Sequence, residues 1–124
     1  MNWSTALGKA GEERAAQEYL QRGYTIVGRN VRTRSGEVDI IALAPDGTMV
    51  FIEVKTRSSQ RFGGAEAVTA AKLIRLRKAA AEYLSAQHCP YQVRFDVVEL
   101  IGAPGAGEGG IAAQGEMLVY QGVE

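Results

Sequence analysis

The runs Gly36-Glu37-Val38-Asp39-Ile40-Ile41 and Val50-Phe51-Ile52-Glu53-Val54-Lys55 have the composition of strands buried on both faces, yet each carries ionisable residues in its middle. Pro45-Asp46-Gly47 between them marks a turn. With the turn centred on Asp46, hairpin counting pairs Leu43 with Met49, Ile41 with Phe51 and Asp39 with Glu53. Alternation places Lys55 on the face of Glu53 and turns Val50, Ile52 and Val54 the other way, beside Val38, Ile40 and Ala42. Two carboxylates directly opposite repel, and burying them without partners is costlier still. A hard divalent cation such as Mg²⁺, which takes carboxylate oxygens, would remove that penalty. The spacing therefore predicts a small metal site at Asp39 and Glu53.

Plainer roles exist for the neighbours. Glu37 could pair with Lys55 across the hairpin as an ordinary salt bridge. Glu12, beside Glu13 early in a helix, could simply complement the helix dipole. Strand acids flanked by Ile and Val have no such easy explanation, because charge is depleted there for good physical reason.

A chain of 124 residues has room for one core. Its 46% hydrophobic and 23% charged residues argue against disorder. No run approaches the roughly 18 apolar residues of a membrane span, and the start lacks a basic-then-apolar secretion pattern, so the expectation is a cytoplasmic protein without a membrane partner. The single cysteine, Cys89, cannot form an internal disulfide, and beside His88 it reads as part of a helix-end loop. Net charge is zero, but residues 1–80 hold thirteen Lys and Arg against eight acids, leaving the remainder at −5. The basic residues cluster as Arg29, Arg32 and Arg34, as Arg57 and Arg61, and as Lys72, Arg75, Arg77 and Lys78, each cluster next to a motif. Such clusters are either solvated faces or phosphate contacts.

The periodicity predicts one domain over residues 1–124 with a core spanning about 4–101. A first helix over 4–22 carries Ala6, Leu7, Ala10, Ala15, Tyr19 and Leu20 on one side and stops at Gly23. A strand follows to about Arg32, then the motif hairpin and a loop over 56–64. A second helix is predicted over 65–87, with Ala67, Ala71, Ile74, Ala81 and Leu84 as its apolar stripe. A strand at 91–100, a Gly-rich linker at 102–115 and a terminal edge strand at 116–121 complete the chain. Helix, three strands, helix and two strands make a three-layer α/β domain with a mixed central sheet.

Asp39 followed by Glu53-Val54-Lys55 resembles the D…(D/E)-x-K signature of the restriction-endonuclease-like nuclease superfamily. Further matches are Gly8, Gly11-Glu12, Ala15, Gly23-Tyr24, Arg29-Asn30, Gly36-Glu37-Val38, Thr56-Arg57, Phe62-Gly63, Lys72 and Phe95-Asp96-Val97-Val98. This ordered set, from about Gly8 to Leu100, resembles the YraN-like family (UPF0102), which is related to archaeal Holliday junction resolvases. Val38 departs from the superfamily pattern, which has a proline before the aspartate.

The resemblance implies a restriction-endonuclease-like fold and a metal-dependent endonuclease acting on DNA, branched DNA included. It implies catalytic roles for Glu12, Asp39, Glu53 and Lys55. Asp39, Glu53, Glu12 and the Val54 carbonyl would hold Mg²⁺ or Mn²⁺. Arg29, Arg32, Arg34, Arg57, Arg61 and Lys72 would contact nucleic acid. Cutting a junction symmetrically needs two active sites, hence a homodimer. The alternative is a nucleic-acid-binding module of the same fold with little or no catalysis. Asp96, inside an apolar strand, is either a buried partner for Arg94 or Arg29 or a further site residue.

Overall fold

The first helix ends where a glycine lets it. The computed structural model describes residues 3–57, 70–87, 91–101 and 116–123, with the side chains of the first helix described from Lys9 onward and that of Arg57 not described. Helix α1 (Trp3–Gln21) closes with Gly23 at φ 89°, donating from Gly23 N to Leu20 O and from Tyr24 N to Tyr19 O. That is the paired-bond stop of a left-handed C-terminal glycine, and its apolar clasp is the edge-on contact of the Tyr19 and Tyr24 rings, 5.0 Å apart.

Strands β1 (Thr25–Thr33), β2 (Gly36–Leu43) and β3 (Met49–Arg57) then run as an antiparallel meander. The turn between β2 and β3 sits on Gly47 at φ 93°, with the Thr48 amide donating to Asp46 Oδ1. Pairs Leu43–Met49 and Ile41–Phe51 form as hairpin counting requires, whereas the Asp39–Glu53 pair it also predicts is not in the ladder, which ends at Ile40–Ile52. Helix α2 (Ala70–Ser85) carries the chain over to β4 (Val93–Ile101), which lies parallel to β3, and β5 (Glu116–Tyr120) closes the edge antiparallel to β4. Spatial order follows chain order in one mixed five-stranded sheet with a helix on each face. The mixed, helix-flanked α/β class read from the sequence is the class observed.

Each face has its own core. On one, Ala15, Ala16 and Tyr19 of α1 pack on Ile40, Ala42, Val50, Ile52, Val98 and Leu100. On the other, Leu76, Ala79 and Ala80 of α2 pack on Val38, Ile41, Met49 and Phe51. A fully buried Ile or Phe here contributes about 1.5–3 kcal/mol.

Three details of packing depart from expectation. Leu20, read on the apolar side of α1, is 46% exposed. The buried stripe of α2 matches the predicted one only at Leu84, which packs on the core: Ala71 and Ala81 are exposed and Ile74 is 50% exposed, whereas Leu76, Ala79 and Ala80 are buried. Alanine occurs on several sides of this helix, so the bulky residue facing Phe51 and Ile41 decides the phase. Val38 packs on the α2 side with Ile41 rather than beside Ile40 and Ala42, because the strand changes phase at Asp39. Ala67, Phe62-Gly63, His88, Cys89, Arg61 and the 102–115 linker lie outside the described residues.

Glycine in mid-helix is unfavourable by roughly 0.5–1 kcal/mol relative to alanine, so Gly11 of α1 needs a packing reason. A Cβ there would collide with Thr56 Oγ1 of β3 and lie 3.0 Å from Leu100 Cδ1. The missing side chain is what lets α1 approach the sheet. Gly11→Val is therefore expected to destabilise the protein by about 1–3 kcal/mol, read as a lower urea midpoint at unchanged slope. A midpoint unchanged or raised would mean α1 is not held at this contact.

Candidate functional site

The ionisable residues of the hairpin meet where its ladder ends. Registered pairing of β2 with β3 reaches Ile40–Ile52, and at the next level the Asp39 side chain takes over: its Oδ2 accepts the Val54 N–H at 2.8 Å. On the other side of β2, β1 pairs Arg29 with Ile40 and Val31 with Val38, and the residue between, Asn30, has φ 50°. A left-handed residue in a strand re-aims the chain, and the altered phase of Val31 and Val38 follows from it.

Glu53 lies one residue beyond Ile52 on β3, its side chain 16% exposed, and Lys55 Nζ stands 3.2 Å from Glu53 Oε2. Lys55 thus pairs along its own strand, and Glu37 instead accepts from Asn30 Nδ2 at 3.1 Å. The second Asn30 amide bond, 2.9 Å long, goes to Oε1 of Glu12 on α1.

Three other carboxylates act on Asp39. Burial, then the charge of Glu53, then those of Glu12 and Glu37 push its carboxyl up from 3.8 to about 7, against the opposing pull of the Val54 amide. Lys72 of α2 approaches from the opposite face: its contact with the Lys55 ammonium, then desolvation, hold its pKa below the usual lysine value, while Glu53 pulls it back. Two cations crowded beside an acidic pair form an arrangement that a phosphate would relieve.

The family described as uncharacterised protein family UPF0102 matches residues 11–100, nearly three quarters of the chain and every residue just placed. The chain belongs to the UPF0102 family. A UPF0102 protein of Corynebacterium efficiens is 50% identical over 101 residues, covering 82% of each chain. One from Symbiobacterium thermophilum is 50% identical over 103 residues, covering 82% of this chain and 86% of its own. One from Corynebacterium diphtheriae is 45% identical over 121 residues, covering 95% and 90%. Among solved structures, a repair endonuclease from Pyrococcus abyssi aligns with 83% of this chain at TM-score 0.44 and 18% identity, and an EndoMS–dsDNA complex with 80% at TM-score 0.41 and 18% identity. The UPF0102 chain spans 39% and 38% of those two proteins.

Among the described residues of this UPF0102 protein, no group of three or more His, Cys, Asp or Glu side chains is arranged to hold a metal ion. The donor chemistry nevertheless fits a hard cation. Asp39 is half-buried with its charge opposed by Glu53, Glu12 and Glu37, and Mg²⁺ is commonly held by only one or two carboxylates together with substrate phosphates. Glu12, the further donor expected from sequence, is tied to Asn30 and does not complete a set of three with Asp39 and Glu53. Of Val54, the amide is the group in contact with Asp39.

The basic residues separate into groups. Arg29 is taken by Glu13 at 2.7 Å, which leaves it an α1–β1 tie. Arg32 is 89% exposed, 3.9 Å from Glu37, and with Arg34 it lines a groove of about 600 Å³ bounded by Glu82 and Tyr83 of α2. Arg75 lays its stem over Gly36, where a Cβ would sit 3.0 Å from Arg75 Cδ, so α2 carries Arg75 to the hairpin end that bears Glu37. Arg61 is outside the described residues, as is the Arg57 side chain.

Asp96 is a structural residue. It is fully buried and accepts from Tyr19 Oη at 2.8 Å, from Nε and Nη2 of Arg94, each at 2.9 Å, and from Gly122 N at 3.1 Å. Of the two arginines considered from sequence, its partner is Arg94. The parts of the site that sequence reasoning missed are Asn30 and the place of Glu37 in it. A neutral amide in a strand gives no charge signal, and the bond from Asn30, a left-handed residue, to Glu37 is not readable from strand periodicity.

Proposed function

We propose that this protein is a metal-dependent endonuclease that hydrolyses phosphodiester bonds in DNA, with branched, Holliday-junction-like DNA as its substrate class. The observation that carries the reading is Asp39, a half-buried carboxylate fastened to the Val54 amide with three further acids acting on it and Lys55 beside Glu53. Fold stability gains nothing from such a group, and perturbed, clustered acids of this kind mark chemistry more often than packing.

In this reading Asp39 and Glu53 hold Mg²⁺ or Mn²⁺, with Glu12 and the Val54 carbonyl as further donors. The chemistry supplied there by a divalent cation is polarisation of the phosphate and of the attacking water. Lys55 orients that water or neutralises charge as the bond breaks, and Lys72 adds a second positive charge for the phosphate. Lys72, Arg32, Arg34 and the exposed Arg75, together with Arg57 and Arg61, contact the backbone. Arg29, engaged by Glu13, is the weakest of the expected phosphate ligands. A junction cut symmetrically calls for a homodimer. No helix among the described residues is long and apolar enough to cross a membrane.

The second reading, a binding module with little or no catalysis, draws support from the Lys55–Glu53 contact, which occupies one of the two central carboxylates. A panel of labelled four-way-junction, flapped, linear and single-stranded DNA, plus RNA, separates the two when incubated with Mg²⁺, Mn²⁺ or EDTA. The expected result is cleavage of the junction that EDTA stops. Binding that weakens steeply with salt, without cleavage of any substrate, would favour the module instead.

A further inference from the structure

We propose that Asn30 is a positioning residue of this site: its side-chain amide ties Glu12 of α1 to Glu37 of β2 and so fixes where the Glu12 carboxylate stands over the hairpin. The catalytic consequence rests on the nuclease reading; the clasp itself does not.

Three observations converge on it. Asn30 is the one non-glycine residue with positive φ among those described, and it sits inside a strand. Only the shortest polar side chains tolerate that conformation, at a strain on the order of 1 kcal/mol, and a plain strand has no use for it. Next, both hydrogens of its Nδ2 are committed, to Glu12 Oε1 at 2.9 Å and to Glu37 Oε2 at 3.1 Å. These two carboxylates repel each other and would part without a donor between them. Finally, both act on Asp39, so the clasp and the metal site share their charges.

The residue type matters as much as its place. An arginine or lysine at position 30 could hold the same two acids but would cancel the negative charge a cation needs. An amide holds them and leaves that charge intact. Of the nearby arginines, Arg29 is directed to Glu13 at 2.7 Å, while Arg32, mostly exposed, stands 3.9 Å from the other oxygen of Glu37 and leaves Glu12 to Asn30. Gly11 sets the height of α1 over the sheet, and Asn30 fastens the next residue, Glu12.

The test uses Asn30→Gly, which keeps the left-handed backbone and loses the amide, and Asn30→Asp, which keeps the backbone tolerance but replaces the donor by another acceptor. Each is combined with Glu12→Ala. Mn²⁺ affinity, measured by calorimetry on metal-free protein, should fall about 10-fold in Asn30→Gly and further in Asn30→Asp, although the latter adds a carboxylate. Asn30→Gly in the Glu12→Ala background should cost little more, because the first change acts through Glu12. For cleavage, kcat should fall while KM for the junction stays within twofold. Losses that multiply in the double variant, or Asn30→Gly affinity within twofold of wild type, would overturn the proposal. If the wild type neither binds Mn²⁺ nor cuts, the nuclease reading fails. The clasp is then decided by urea denaturation of metal-free wild type, Asn30→Gly, Glu12→Ala and their double variant, where independent effects of Asn30→Gly and Glu12→Ala would overturn it and a clear coupling would uphold it.

Discussion

Asp39→Asn should cut cleavage by about 10³-fold and at the same time make the metal-free protein more stable at pH 8. The carboxyl of Asp39 is raised from 3.8 to about 7, first by burial and then by Glu53. A carboxyl with a folded-state pKa above its unfolded value binds its proton more tightly in the fold. Its contribution is fully present below about pH 4 and is lost as pH rises towards about 7, the interval between the two values. The metal-free wild type should accordingly weaken across that window by roughly 2–4 kcal/mol. Asparagine carries no charge to bury, and its side-chain oxygen can still accept the Val54 N–H. Thermal unfolding in EDTA should show Asp39→Asn melting above wild type at pH 8 and level with it at pH 4, with cleavage reduced on the order of 10³-fold. A variant less stable than wild type at pH 8 would mean that Asp39 is held there by a favourable interaction, and the argument for a cation would lose its footing.

The largest loss of stability is expected from Asp96→Ala. Asp96 accepts four hydrogen bonds, from Tyr19, Arg94 twice and Gly122, and Arg94 Nη2 also donates to Tyr24 Oη at 2.7 Å. The network joins the end of α1, the start of β1, β4 and the chain after β5. Burial and the Asp96 charge push the Tyr19 hydroxyl well above the usual phenol range, and the hydrogen bond to Asp96 raises Arg94, so both partners are held in their donating forms. Removing the carboxylate strands a guanidinium whose side chain is 26% exposed and a buried phenol, which should destabilise by about 3–5 kcal/mol. Urea denaturation measures it, and the folded fraction should still cut junctions at the wild-type rate. A loss under about 1 kcal/mol, or intact stability with lost cleavage, would move Asp96 from the frame into the site.

The hairpin was legible because strand periodicity and a recognisable turn leave little freedom: Leu43–Met49 and Ile41–Phe51 follow from counting alone. Counting failed at Val38, where a left-handed Asn30 on the neighbouring strand breaks the period that counting assumes. The phase of α2 was illegible for a different reason. Its alanines fit either face, and the sheet's need for Leu76 against Phe51 and Ile41 is a tertiary fact. Asp96 stayed ambiguous because its phenol partner lies 77 residues away, on the first helix. The acids at 39 and 53 and the lysine at 55 were singled out from sequence because charge in an apolar strand stands out, and Glu12 and Lys72 because they match the family motif. Arg29, equally conspicuous, turned out to be engaged by Glu13.

The most direct test of the central claim is the rate of four-way-junction cleavage by wild type and Glu53→Gln, each with Mg²⁺ and with EDTA, after both have been shown to fold. Metal-dependent cleavage by the wild type, reduced at least 10²-fold in Glu53→Gln and absent in EDTA, is the predicted result. Cleavage that survives EDTA or the substitution, or a folded wild type that cuts nothing, would contradict it.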